Sequence, residues 1–66
     1  MSQYLTPSQA LALLREGGYP LPEQQQSARV HLLRLGDRRQ LSYVRTAGGH
    51  RRYTVDSLQE FLDGNE

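Results

Sequence analysis

Arg45-Thr46-Ala47-Gly48-Gly49-His50-Arg51-Arg52-Tyr53 is the stretch that decides how this chain folds. It surrounds a Gly-Gly pair with three arginines and a histidine. Glycine turns the backbone tightly because it has no Cβ, so we expect the flanking residues 43–46 and 51–53 to pair as a β-hairpin. The guanidinium groups would stand on its tip, where their planar forks of donors suit phosphate oxygens and guanine edges. The alternative is an ordinary solvated basic turn.

The charge of the chain is unevenly distributed, although the formal net charge is only +1. Lysine is absent, so the eight residues counted as Lys or Arg are all arginine. Between Arg29 and Arg52, seven arginines stand against the single acid Asp37, which gives this segment a charge of +6. The residues before and after it are net acidic. The middle of the chain is therefore a candidate electrostatic footprint for a polyanion.

Length and composition exclude several classes of protein. With 66 residues we expect one domain over residues 1–66, frayed at residues 1–3 and 64–66. The chain has no cysteine, and His31 and His50 are too far apart in sequence to suggest zinc ligation. We expect no cofactor and no enzymatic activity, since paired carboxylates, nucleophile–base pairs and phosphate-binding glycine loops are missing from the sequence. Without an apolar run of about 18 residues or a secretory signal, a cytoplasmic protein is expected.

The first helix is predicted over Pro7–Glu16. Thr6 suits the N-cap, Pro7 the first helical position, and Gln9 closes a capping box. Apolar residues at positions 10, 11, 13 and 14 share one side of this helix, and Gly17-Gly18 ends the pattern.

The second helix is less regular in its pattern. Two prolines keep residues 19–22 out of a helix, and a helix beginning near Pro22 or Glu23 would run to Leu35, with Gly36 as its C-terminal stop. Its stripe of Ala28, Leu32 and Leu35 leaves Val30 and Leu33 pointing elsewhere. Residues 30–35 could alternatively form a strand that pairs with residues 40–44 around a turn at 36–39.

The third helix is predicted to begin after Thr54 as N-cap and to end at Asp63 and Gly64. The order of helix, turn, helix, hairpin and helix predicts an α+β fold that is mainly α. It would be a small winged helix-turn-helix, with three helices and a two-stranded β-hairpin as the wing. The expected core consists of Tyr4, Leu11, Leu14, Val30, Leu33, Val44, Tyr53, Leu58 and Leu62.

Two segments of the sequence resemble segments of a known protein family. Val44-Arg45-Thr46 followed by Gly48-Gly49-His50-Arg51-Arg52-Tyr53 resembles the wing signature of MerR-type DNA-binding domains, and Leu5-Thr6-Pro7-Ser8-Gln9-Ala10 is similar to their first helix. The likeness covers most of the chain and is close to small excisionase-like proteins and stand-alone regulators. It implies a winged helix-turn-helix whose second helix enters the major groove while the wing lies on the backbone or in the neighbouring minor groove.

The likeness also implies roles for individual residues of the wing. Arg51 and Arg52 match the arginines expected at phosphates, His50 the histidine at the tip, Arg45 the basic residue entering the wing, and Tyr53 the aromatic that anchors the wing to the core. The connector over residues 17–26 is longer than the family pattern. The family's dimerisation helix and effector domain have no counterpart, so no small-molecule effector is expected.

The second helix supplies candidate base-reading residues in its first turns, where glutamine suits adenine and arginine suits guanine. An ordinary solvated helix start is the alternative. Two arginines after this helix are candidates for phosphate contact. The complete predicted DNA-binding set is Gln25, Gln26, Ser27, Arg29, Arg38, Arg39, Arg45, His50, Arg51, Arg52 and Tyr53.

These features predict a sequence-specific double-stranded DNA-binding protein, bacterial or phage-encoded, that acts as an excisionase or as a small transcription regulator. The expected partners are DNA and either an integrase or further copies of the chain bound head to tail, and no membrane. The alternative is a protein–protein adaptor that docks a basic partner through the acidic third helix, with Asp56, Glu60 and Asp63.

Overall fold

Residues 3–64, the part of the chain that this computed structural model describes, contain three helices and three short strands. In chain order they are β1 (Tyr4–Leu5), α1 (Pro7–Glu16), α2 (Gln25–Asp37), β2 (Tyr43–Arg45), β3 (Arg51–Thr54) and α3 (Val55–Asp63). The chain is therefore a small α+β protein. No helix within these residues is both long and apolar enough to cross a membrane.

The predicted fraying of the chain ends is only partly open to comparison. Residues 1–2 and 65–66 lie outside the described residues. Gln3 and Gly64, at the two ends of the described residues, each take part in a backbone hydrogen bond. The carbonyl of Gln3 accepts a hydrogen bond from the Val55 amide at 3.0 Å, and the amide of Gly64 donates to the Glu60 carbonyl at 3.0 Å.

The capping residues of α1 and α3 act as predicted. The Thr6 hydroxyl accepts from the Gln9 amide at 3.2 Å, and the Gln9 side chain accepts from the Thr6 amide at 3.0 Å, which completes the capping box. The Thr54 hydroxyl accepts from the Ser57 amide at 3.2 Å. Because each cap satisfies amides that lack helical partners, both helices begin where their sequences predict.

The bounds of α2 differ from the prediction at both ends. The helix begins at Gln25, because Gln24 keeps an extended backbone, and Gly36 lies inside it rather than ending it. The helix ends one residue later, at Asp37. Beyond it the Gln40 amide donates to the Leu35 carbonyl at 3.0 Å, and the Arg39 amide donates to the Gly36 carbonyl at 3.1 Å. This pair of bonds is a Schellman motif. Residues 30–35 are helical, so the alternative of a strand there is wrong.

The sheet has three antiparallel strands in the order β1-β3-β2, one more than the predicted hairpin. Tyr43 pairs with Tyr53 in the hairpin, and Leu5 pairs with Tyr53 on the other side. Strand β1 was not predicted because two residues are too few to show the alternation that identifies a strand. Tyr53, at the centre of the sheet, points into the core.

The core lies between the helices and the inner face of the sheet. Its buried side chains are Ala10, Leu11, Leu14, Ala28, Leu32, Leu35, Leu41, Tyr53 and Leu58, with Leu62 partly buried against them. The prediction is confirmed for Leu11, Leu14, Tyr53 and Leu58.

Four predicted core residues, Tyr4, Val30, Leu33 and Val44, are instead the exposed large hydrophobic side chains of the described region. The helix α2 buries the stripe of Ala28, Leu32 and Leu35 together with Gly36, so Val30 and Leu33 face outward. Strand alternation places Val44 and Tyr4 on the face of the sheet opposite to Tyr53. These four predictions are wrong because one helix face and one sheet face suffice to close so small a core.

Candidate functional site

The eleven predicted site residues fall on three neighbouring parts of the fold. Gln25, Gln26, Ser27 and Arg29 are exposed on the first turns of α2, and Arg38 and Arg39 are exposed just after it. The remaining five lie on the hairpin: Arg45 and His50 are exposed, Arg51 and Arg52 are partly buried, and Tyr53 is fully buried.

Arg51 joins the hairpin to the end of α2. Its guanidinium donates to the Asp37 carboxylate at 2.8 Å and to the Leu33 carbonyl at 3.3 Å, and it lies 4.2 Å from the centre of the Tyr43 ring. Only 14% of the Arg51 side chain is exposed. The hydrogen bond with Asp37 is the main reason why the pKa of Arg51 is raised. Arg51 therefore acts first as a clamp between the two elements, which the sequence alone did not indicate.

Gly36 makes this close approach possible. A Cβ at this position would lie 3.0 Å from an Arg51 guanidinium nitrogen and 3.3 Å from the Tyr43 ring. The glycine thus leaves room for the Arg51 guanidinium and the Tyr43 ring against α2, and it does not end the helix.

The hairpin register divides its arginines between the two faces of the sheet. Arg45 is paired with Arg51, and Val44 is paired with Arg52. Since paired residues share a face and successive residues alternate, Arg45 and Arg51 lie on the face of Tyr53, while Arg52 lies on the outer face. One Arg52 guanidinium nitrogen donates to the Arg51 carbonyl at 3.4 Å. The hairpin therefore carries arginines on both faces of the sheet, and among these three Arg45 is the exposed one.

The tip of the hairpin is a tight turn that exposes His50. The Gly49 amide donates to the Thr46 carbonyl at 2.9 Å, and the Thr46 amide donates to the His50 carbonyl at 2.8 Å. Gly49 has a φ of 80°, which a side chain would disfavour. The predicted Gly-Gly turn is confirmed.

Tyr53 differs from the other predicted site residues because it offers no surface to a ligand. Its side chain is fully buried, and its hydroxyl has no hydrogen-bond partner among the described residues. Burial is the main cause that raises its pKa above 10.0, and the nearby charge of Arg51 opposes this shift. The position suits an anchor between hairpin and core.

The turn after α2 holds Arg39 in an unusual backbone conformation. Its φ of 62° lies in the left-handed region that glycine favours. The equivalent position after α1, which ends with the same pair of hydrogen bonds, is occupied by Gly18. An arginine that remains at such a position despite the strain is a candidate for a functional contact.

The charges of this region are largely unbalanced. Arg51 with Asp37 is the single ion pair that the structure contains within residues 3–64. Asp37 is also the only acid between Arg29 and Arg52. The exposed side chains of Arg29, Arg34, Arg38, Arg39 and Arg45 consequently form a basic surface that runs along α2 and onto the hairpin.

Two apolar residues belong to this surface and were assigned to the core from the sequence. Val30 is 44% exposed and Leu33 is 43% exposed, both on the outer side of α2. The signal that could have identified them was the stripe of Ala28, Leu32 and Leu35, from which both residues depart. Within residues 3–64 no group of three or more His, Asp or Glu side chains could hold a metal ion.

In comparisons with known proteins, no family model, no curated protein and no solved structure matches this chain.

Proposed function

We propose that this chain is a sequence-specific double-stranded DNA-binding protein with a winged helix-turn-helix fold. In this proposal α2 enters the major groove, and the hairpin of β2 and β3 is the wing that rests on the backbone or in the adjacent minor groove. The protein acts without chemistry, in the cytoplasm of a bacterium or on a phage genome.

One observation carries the proposal. Arg51 clamps the hairpin to α2 through Asp37 and the Leu33 carbonyl, so two exposed arginine-bearing elements are held as one surface. The same contact neutralises the only acid of the segment. A basic surface formed by one helix and one hairpin suits contact with the phosphates on either side of a groove. The likeness of residues 44–53 to the MerR wing signature adds support.

Two biological roles are compatible with this proposal, that of an excisionase and that of a transcription regulator. As an excisionase, the protein would bind adjacent repeats head to tail and contact an integrase; as a transcription regulator, it would bind a promoter with the same geometry. A footprint that extends cooperatively over tandem sites favours the first role, and one isolated protected site favours the second.

The first prediction is that selection from a random duplex pool recovers a defined motif. Binding to that motif should weaken steeply with salt, because each phosphate contact contributes about 0.9 to the slope of log binding constant against log salt concentration.

The mutational prediction is that Arg45→Ala and Arg52→Ala should each weaken binding to all sequences and reduce this slope by about one. Arg29→Ala should also relax the preference for particular bases. Titrations of the motif and of scrambled DNA at two salt concentrations measure these effects.

A second candidate function, a protein–protein adaptor, is favoured by the exposed acids Asp56, Glu60 and Asp63 on α3. Glu60→Lys separates the two candidates, since it should disrupt an adaptor and leave intrinsic DNA affinity unchanged or slightly higher. Absence of any enriched motif, together with no salt-dependent binding, would overturn the DNA proposal and leave the adaptor.

A further inference from the structure

We propose that Val30 and Leu33 form an apolar reading surface for the methyl groups of thymine in the major groove. This inference rests on the proposed DNA-binding function and names the base chemistry that α2 would recognise. It starts from the exposure of two large apolar side chains on a helix whose opposite side is already buried.

The two side chains are neighbours on one face of α2. They are three residues apart, a spacing that brings side chains together on a helix surface. Each leaves more than two fifths of its surface exposed, and the helix meets the core through Ala28, Leu32 and Leu35 instead. Packing within the described chain therefore gives no reason for both positions to be large and apolar.

The residues around Val30 and Leu33 indicate which class of molecule would bind to this apolar pair. Gln26 lies one turn before Val30, and Arg29 one turn before Leu33, and both are exposed. The Asp37 carboxylate, one turn after Leu33, is occupied by Arg51. A second copy placed face to face on this surface would bring the exposed Arg29 and Arg34 of one copy close to the same arginines of the other, so charge disfavours a symmetric dimer here. A polyanion that also carries apolar groups fits the surface better.

The major groove of DNA has this combination of properties. Thymine presents a methyl group there, and its partner adenine presents the donor and acceptor that a glutamine amide matches. Gln26 and Val30 are thus placed to read the two halves of one A·T pair, while Arg29 suits a neighbouring guanine. The inferred target contains at least one thymine whose methyl group faces α2.

Replacement of thymine by deoxyuridine tests the inference, because it removes only the methyl group from the major groove. The probe is the duplex recovered by selection from a random pool, with each thymine replaced in turn. At one or two positions we expect the wild-type affinity to fall about fourfold, the factor that corresponds to loss of one buried methyl-sized group. The Val30→Ala/Leu33→Ala double variant should bind the thymine duplex more weakly and should not distinguish it from the deoxyuridine duplex.

Val44→Ala is the matched control. Val44 is 46% exposed, but it lies on the outer face of the sheet rather than on α2. This variant should keep the wild-type response to deoxyuridine. Both variants remove exposed side chains only, and alanine is the best helix former for positions 30 and 33, so folding should be retained.

The outcomes separate this inference from the function on which it rests. Specific binding with equal affinity for every deoxyuridine duplex would overturn the methyl reading and leave the DNA-binding proposal standing. Failure to recover or bind any duplex would overturn both. A dimer in sedimentation that Val30→Ala/Leu33→Ala dissociates, with the deoxyuridine response unchanged, would assign the surface to self-association and overturn the inference.

Discussion

At the scale of single residues, Tyr53 and Arg39 each combine an unfavourable local feature with a position that the fold requires. Tyr53 buries a hydroxyl without a partner, and Arg39 holds a left-handed backbone conformation. The sequence does not reveal the first feature because the burial of the Tyr53 hydroxyl depends on long-range neighbours, whereas the second belongs to the local turn that ends α2. Each leads to a measurable consequence for stability.

Tyr53→Phe should preserve or raise stability near pH 7 and reduce its loss in alkali. An unpaired buried hydroxyl costs about 1–3 kcal/mol, so its removal should not weaken the fold. Burial raises the pKa of Tyr53 above the unfolded value of 10.0, so the neutral form is favoured in the native state. The stabilisation that comes from keeping Tyr53 neutral is fully present below pH 10.0, and it is lost as pH rises through the pKa of Tyr53 in the folded protein.

Urea unfolding of wild type and Tyr53→Phe on both sides of that pH range measures this effect. The other tyrosines are common to both proteins and cancel in the difference. An equal decline of the free energy of unfolding in the two proteins would contradict the assignment.

Arg39→Gly should stabilise the fold and weaken binding to DNA. Glycine relieves the left-handed strain, and after its greater loss of chain entropy the net gain should be about 0.5–1 kcal/mol. Loss of the guanidinium should remove one phosphate contact and reduce the salt slope by about one. Thermal unfolding and salt titration measure the two effects.

Arg38→Gly is the matched control for Arg39→Gly. It removes the same charge, but Arg38 has a φ of −81°, where glycine relieves no strain. This variant should therefore lose stability. A less stable Arg39→Gly protein would show that the backbone at this position is not strained.

At the scale of elements, the contact of α2 with the hairpin decides the shape of the candidate surface. Gly36→Ala would add about 1 kcal/mol to the stability of an unconstrained helix interior. Here the new methyl group would meet Arg51 and Tyr43, so we expect no gain or a net loss. In an Arg51→Ala background the nearest obstacle is gone, and Gly36→Ala should be more favourable than in the wild type.

A double-mutant cycle over these four proteins measures the coupling between positions 36 and 51. Urea unfolding gives the four free energies. Additive effects would mean that the clamp does not hold α2 against the hairpin. Loss of DNA affinity by Arg51→Ala would then need to be interpreted as loss of a direct phosphate contact.

At the scale of the whole molecule, charge is divided between two surfaces that pack on different parts of the core. Helix α2 packs on α1 and carries the basic surface with the hairpin, whereas the acidic helix α3 packs on α1 and β3. This division suits a protein that holds DNA with one surface and keeps another for a protein neighbour. Association of copies through unlike surfaces would be heterologous and would extend along the DNA.

Much of the architecture follows from local sequence signals. Thr6 with Gln9 and Thr54 with Ser57 place the starts of α1 and α3, since a cap needs only residues three positions apart. Gly48 and Gly49 likewise give the hairpin turn, and the arginine content of residues 29–52 gives the basic character of the surface. These features depend on short-range hydrogen bonds, backbone sterics and composition.

Tertiary structure alone decided which apolar residues are buried and which arginines remain free. Val30 and Leu33 are apolar enough for a core, but α1 covers only one side of α2, so they are exposed. Arg51 has the sequence features of a phosphate contact, yet Asp37, fourteen residues away along the chain, takes its guanidinium. The physical reason is that burial and pairing depend on long-range neighbours, whereas caps and turns depend on adjacent residues.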